Sequence, residues 1–514
     1  MSNTPQNMLR QSPPSCTTIS LRSINNNNKQ PQAVPAVSKE QTQEDKNNTD
    51  IESTTPPSAH TEPAYAVPTL PLQKWNEPRG NITRLASAFY SMFVFGLNDA
   101  AYGALIPYLE PYYNLSYTVV SLIFLCPFAG YTIAAFTNSW FHDSFGQRGI
   151  AIIAPTTHII TYITLCLHPP WPVVVVFSCI GGFGNGLIDG AWSSYAGNMV
   201  AGNILAGSLH ACYSLGATMS PLIITSLIVK HHLPWYYFYY IMTGLSCITL
   251  IVCSISFWSQ TSTVYRTHHP HEPGDGQNST TKTALKNRVT WLCSVFFLLY
   301  VGAEVALGGW IVSFMLHVRH ASPYTSGLTA TGFWAGMTIG RSGLGVLTHF
   351  LIELTNRPQN PSPNPATTTT HKTSSFIRFL STLHLTERPI VTTYLLLSIT
   401  LQLLFWLIPS QTTSIVSVPF LGLFLGPIFP SGIIMATKLL PARLHVSSIG
   451  FSTALGGTGG AVFPFVVGAI AARKGVGVVQ PVVLAVLVAL VGVWWCFPSV
   501  KTRRMVDGGD MRNE

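Results

Sequence analysis

The stretch LASAFYSMFVFGLNDAAYGALIPYL, residues 85–109, decides the fold. It is long enough to cross a bilayer, whose ~30 Å of hydrocarbon needs about 20 helical residues. It carries one charged residue, Asp99. That acid sits about 15 residues into its helix, or ~22 Å, close to the midplane. A carboxylate there costs roughly 2.5 kcal/mol on insertion scales, so it normally faces a cavity, a partner or an ion path.

Eleven further runs of the same kind follow. The twelve spans fall near 84–108, 117–137, 149–168, 172–196, 204–229, 235–258, 289–316, 324–350, 389–409, 413–437, 445–472 and 478–499. The fourth holds a lone Asp189 and the seventh a lone Glu304. The pattern predicts an all-α membrane protein with twelve transmembrane helices in two pseudo-symmetric six-helix halves. The expected organisation is a disordered tail over 1–78, a first half over 79–258, a linker over 259–288, a second half over 289–500 with a long loop at 351–388, and a tail over 501–514. Within that long loop, Phe376 to Leu385 could lie in the membrane interface as an amphipathic helix or serve as a plain linker.

Composition agrees. Of 514 residues only 9% are charged, against about 25% in soluble domains, while 47% are apolar. Lipid rather than water suits such a surface. The net charge of +9 does not form a nucleic-acid patch. The basic residues sit instead in alternate loops: the N-terminal tail, Arg148, the linker, the stretch from Arg341 to Arg388, Lys438, Arg443 and the C-terminal tail hold all but four of the 28 Lys and Arg. The other side keeps Lys230, Arg319, Arg473 and Lys474. By the positive-inside rule both termini face the cytoplasm. A glycosylation sequon, Asn114-Leu115-Ser116, falls in the first outer loop. No paired Cys-x-x-Cys spacing suggests zinc, and no Gly-x-x-x-x-Gly-Lys-Ser/Thr loop suggests an ATP-driven pump. No cofactor is expected.

The halves echo one another. Asp99 precedes Gly103 by four residues, as Glu304 precedes Gly308; Gly184-x5-Gly190 answers Gly426-x5-Gly432; and Leu215-Gly216-Ala217-Thr218 answers Leu455-Gly456-Gly457-Thr458. Repeated halves with a central site are how many secondary transporters are built.

Candidate site residues cluster on a few helices. Asn185, Asp189 and Trp192, spaced i, i+4 and i+7, share one helical face. His210 and Ser214 are an i, i+4 pair with Tyr213 beside them, and Tyr300 lies one turn before Glu304, with Trp310 beyond it. Each has a structural alternative: an acid paired with a buried base, glycines that only allow close packing, a histidine bonded across helices, aromatics that anchor or pack. Asp99 and Asp189 are the candidates for proton coupling. Asn98, Asn185, His210, Tyr213, Tyr300, Glu304 and Trp310 are the candidates for solute contact.

The loop after the second helix reads Ser139-Trp140-Phe141-His142-Asp143-Ser144-Phe145-Gly146-Gln147-Arg148. It resembles the major facilitator superfamily loop Gly-x-x-x-Asp-x-x-Gly-Arg-Lys/Arg; Asp143, Gly146 and Arg148 match, whereas Ser139 and Gln147 depart. The resemblance implies a conformational latch at those three residues. Leu97-Asn98-Asp99, the Gly-rich Asp189 helix, Tyr300 to Glu304, Gly332-Phe333-Trp334-Ala335-Gly336 and Gly426-Pro427-Ile428-Phe429-Pro430 are similar to fungal members of the fucose–proton symporter-like branch, including the bypass-of-stop-codon type. In that branch an Asp on the first helix and an acid on the fourth serve proton coupling and sugar recognition. Asp99 and Asp189 match those positions, the latter being shorter by one methylene than Glu.

The expected function is secondary active transport of a small polar, sugar-like solute coupled to protons, in the plasma membrane. The rival with the same fold is proton-driven efflux of drugs or secondary metabolites. A rival from another class is a non-transporting receptor or sensor. The expected partners are the lipid bilayer, a small-molecule solute and protons, with no nucleic acid; the oligomeric state is left open.

Overall fold

The structure, a computed structural model, describes residues 72–268, 277–345, 347–348, 387–441 and 444–498. The bulk of the N-terminal tail, the loop at 351–386 with its amphipathic stretch, and the tail at 501–514 lie outside the described residues. Residues 72–78, assigned to the tail by sequence, are held in place: Val200 N–H donates to the Gln73 carbonyl at 2.9 Å and Asn81 Nδ2 to the Gln73 side chain at 3.0 Å.

Helices account for nearly all of it, and among the described residues there is no strand beyond isolated bridges. They are α1 (Gly80–Tyr113), α2 and α3 (residues 122–145 and 147–166), α4 (Trp171–Gly197), α5 (Gly202–Thr225), α6 (Tyr237–Ser256), α7 (Arg288–His317), α8 (Pro323–Ile339), α9 (Glu387–Leu407), α10 (Gln411–Leu425, resumed at Ile428–Leu439), α11 (His445–Lys474) and α12 (Val479–Cys496). Nine helices among the described residues are long and apolar enough to span a membrane, one of them a run of 50 residues from Tyr117 to Cys166. At 1.5 Å per residue that run is about 75 Å, far beyond one bilayer, so it must cross twice. Counting it twice and adding α1 and α8 gives the expected twelve.

The turn between α2 and α3 is tighter than the sequence implies. Residues 139–145, read as a loop, continue α2, and the reversal is made at Gly146, whose φ of 70° and ψ of −174° break the helix. A Cβ there would lie 2.4 Å from the Thr261 carbonyl carbon. Only glycine satisfies both the left-handed φ and that approach.

Close backbone contacts define pairs of helices, and the pairs repeat. A Cβ at Gly96 on α1 would lie 1.9 Å from the Tyr213 carbonyl oxygen on α5; one at Gly459 on α11 would lie 2.0 Å from that of Leu298 on α7. A Cβ at Gly182 on α4 would lie 1.9 Å from the Pro127 carbonyl oxygen of α2, and one at Gly336 on α8 would lie 1.9 Å from that of Pro419 on α10. So α1–α5 and α2–α4 in one half correspond to α7–α11 and α8–α10 in the other. Small residues drive such packing because lipid offers no hydrophobic gain for helix association.

Gly96→Val is expected to force α1 from α5 and lower the thermal unfolding midpoint in detergent, at least by the ~1–3 kcal/mol typical of overpacking. Gly207→Val is the control. A Cβ at Gly207 meets nothing within 4 Å, so its midpoint should match wild type.

The halves meet at the end that carries the 114–116 loop, here the far end. There Gly103 of α1 lies against Gly308 and Gly309 of α7, Ser121 against Gly468 of α11, and Thr225 against Gly327 of α8. Deeper in, Thr218 and Thr338 share a hydrogen bond of 3.1 Å across the same seam. Towards the near end, where α1 begins, a Cβ at Gly207 on α5 or at Gly450 on α11 would meet nothing within 4 Å. Contacts between backbone and small side chains of the two halves thus gather towards the far end.

Candidate functional site

Where the seam ends, two polar clusters lie side by side. In the first half, Asp99 of α1 accepts hydrogen bonds from the Tyr213 hydroxyl of α5 at 3.0 Å and from Asn185 Nδ2 of α4 at 3.4 Å. Asp189, one turn along α4 from Asn185, accepts from the Tyr131 hydroxyl of α2 at 2.5 Å and from Ser193 at 3.3 Å. Both acids keep partial exposure deep in the bundle, as do Tyr213 and His210. Every donor is neutral. Among the described residues no Lys, Arg or His nitrogen lies within 4.0 Å of either carboxylate.

In the second half the acid is compensated. Glu304 of α7 pairs with Arg341 at 2.6 Å, the two side chains being only 6% and 10% exposed. The other arm of the guanidinium donates to Ser214 Oγ of α5 at 2.6 Å. Arg341 stands on a π-helical turn, Gly340–Leu344, that continues α8. Such turns are rare and gather at functional sites. Gly340 permits it: a Cβ would lie 2.2 Å from the Leu423 carbonyl of α10.

The sequence counted Arg341 among the loop charges, and here the structure corrects it. A lone arginine inside one span and a lone glutamate inside another was the available signal. Tyr131 and Ser193 were passed over because their residue types are common in helix interiors, and Ser214 was noted only as the partner of His210.

The remaining candidates divide. Asn98 is buried and donates to the Tyr102 hydroxyl at 2.9 Å. His210 lies between the halves, its ring 6.2 Å from that of Phe429 on α10. Tyr300 is fully buried with its hydroxyl donating to the Leu425 carbonyl at 3.1 Å, and Trp310 likewise donates its indole N–H to the Pro464 carbonyl at 3.0 Å. Both polar tips are thus engaged by backbone of the same half.

At the near end the α2–α3 turn is clasped by the linker. Arg148 N–H donates to the Gln260 carbonyl at 3.0 Å and its guanidinium lies 3.7 Å over the Trp258 ring. Arg266 donates twice to the Asp143 carbonyl, at 2.9 and 2.6 Å. Asn114 is exposed at the opposite end, in the left-handed cap of α1. No three His, Cys, Asp or Glu side chains among the described residues come together as a metal site.

Two six-helix halves joined along a seam, with acids deep in the bundle, fit a secondary transporter of the membrane. The sequence matches the Major Facilitator Superfamily over residues 88–355, more than half of the chain, and the protein belongs to that family of transporters. It is 30% identical over 453 residues to Bypass of stop codon protein 6 of Saccharomyces cerevisiae, covering 84% of each chain. It is 21% identical over 272 residues to a Protein TsgA homolog of Buchnera aphidicola, 51% of this chain and 65% of that one. An uncharacterized MFS-type transporter of Yersinia pestis is 22% identical over 262 residues, again 51% of this chain and 65% of the relative. The family resemblance drawn from the sequence is thereby borne out.

Proposed function

We propose that this transporter moves a small polar, sugar-like solute by alternating access, coupled to protons through Asp99 and Asp189, in the plasma membrane with both termini in the cytoplasm. The observation that carries the reading is the contrast between the acids. Glu304 has its counter-charge built in through Arg341, whereas Asp99 has only Tyr213 and Asn185. A carboxylate held away from water without a cation is costly, and a bound proton removes the cost. An acid that is partly exposed and uncompensated is therefore suited to load and release a proton as access alternates. Two acids and one guanidinium-paired acid also disfavour an anionic solute, which would add to the negative charge.

In this orientation the end away from the 114–116 loop faces the cytoplasm. Asp143, Gly146 and Arg148 then act as the latch, their turn riding on the linker at Gln260 to Arg266. Asn114 is placed for glycosylation outside. His210 and Tyr213, both partly exposed, line the route to the solute, with Asn98, Asn185 and Glu304 just beneath them and Tyr300 and Trp310 supporting from behind.

The test uses purified protein in proteoliposomes and a panel of neutral sugars, polyols and lipophilic drugs. An imposed pH gradient should drive accumulation of a sugar or polyol towards the alkaline side, and a sodium gradient at constant pH should not. Accumulation driven by sodium alone, or drug movement against the proton flow, would overturn the assignment in favour of another ion or of efflux.

A further inference from the structure

The Arg341 guanidinium belongs to both halves. One arm holds Glu304 of α7 in its own half, and the other reaches Ser214 of α5 across the divide, each at 2.6 Å. Ser214 is fully buried and donates its own hydroxyl hydrogen to the His210 carbonyl at 3.0 Å, so towards Arg341 it can only accept. The bond is charge-assisted, shielded from water and fixed in direction, which makes it a strong one. It is also the innermost polar contact of the seam that descends from Thr225–Gly327 through Thr218–Thr338. The neighbouring Tyr213 is the donor to Asp99. Two successive residues of α5 thus hold the proton-accepting acid and the second half's cation.

We propose that the Arg341–Ser214 bond is a tie that keeps the empty carrier from switching, and that a solute releases it by taking over the guanidinium's N–H groups. Arg341 and Ser214 are then positioning residues for coupling, which deepens the reading of the protein as a proton-coupled carrier and rests on it. Arg341 spans α5 and α8, so rocking of the halves must break a buried charged bond. A solute hydroxyl accepting from Arg341 replaces Ser214 as partner, and the halves part at no net loss of hydrogen bonds. Without the tie, the protonated but empty carrier can turn over, and protons leak. The groups that share this centre are Asp99 of α1, Asp189 of α4, His210 and Tyr213 of α5, and Tyr300 and Glu304 of α7. Of these Glu304 forms the ion pair with Arg341, and the Tyr300 hydroxyl interacts with both.

The experiment needs no solute. Protein is reconstituted in vesicles loaded with a pH-sensitive dye, a pH gradient is imposed, and the rate of proton entry is read. Ser214→Ala removes the acceptor with the smallest change in volume. Arg341→Lys keeps the charge for Glu304, but its single ammonium cannot bridge both partners in that geometry. Both variants should leak about ten-fold faster than wild type, the equivalent of one charge-assisted hydrogen bond. Ser214→Thr, which retains the hydroxyl, should restore tight coupling. Adding Asp99→Asn to Ser214→Ala should return the leak to background. A leak equal to wild type in both Ser214→Ala and Arg341→Lys would overturn the tie, and so would a leak that survives Asp99→Asn. Either result leaves gradient-driven solute uptake by the wild type, the test of the proton reading, standing on its own.

Discussion

Replacing Asp99 by Asn is expected to abolish accumulation of solute against its gradient while sparing the folded protein. The amide has nearly the shape of the carboxyl group and can still accept from the Tyr213 hydroxyl, which donates to Asp99 at 3.0 Å in the wild type. It cannot take up or release a proton. In proteoliposomes with an imposed pH gradient, the ratio of internal to external solute should therefore fall to unity, while exchange of labelled for unlabelled solute continues. The thermal midpoint should stay level or rise, since a carboxylate lacking a counter-charge is an unfavourable occupant of a low-dielectric interior. Undiminished accumulation by Asp99→Asn would remove the acid from the coupling mechanism.

The second large effect concerns stability. Glu304→Ala should cost about 3–5 kcal/mol, because it strands the Arg341 guanidinium in the bundle with one hydrogen-bond acceptor in place of two. Expression and the detergent melting midpoint should both drop sharply. The double variant Glu304→Leu with Arg341→Met should recover most of the loss, since an apolar pair of similar volume is often as stable as a buried ion pair. That recovery is the informative readout: if the double variant melts as low as the single one, the pair's stabilising role lies in packing rather than in charge compensation.

The twelve spans and their division into halves were legible because hydrocarbon demands long apolar runs, and few other environments write so plain a pattern. Asp99, Asp189 and Glu304 stood out for the same reason. Arg341 did not, because it follows an apolar run and precedes a long polar segment, where a basic residue reads as an orientation signal; only the packing of α8 against α10 through Gly336 and Gly340 keeps it inside. The α2–α3 turn was misjudged as a loop because nothing in the composition of residues 139–145 says whether a helix persists beyond the membrane. Gly146 decides it, and its dihedral angles are a property of the folded chain. Tyr131 looks in sequence like any membrane tyrosine, and its contact with Asp189 depends on how α2 leans against α4.

The crossing of α1 and α7 at Gly103 and Gly308 joins two positions that the internal repeat makes equivalent, and neither bears a side chain. If the halves rock as proposed, smooth backbone would slide over smooth backbone here, as in a plain bearing, where interlocked knobs would have to ratchet past one another. Cycling speed should then depend more on what the carrier binds than on friction at this axis, and a side chain added at Gly103, 2.4 Å from the Gly308 carbonyl, would act as a brake.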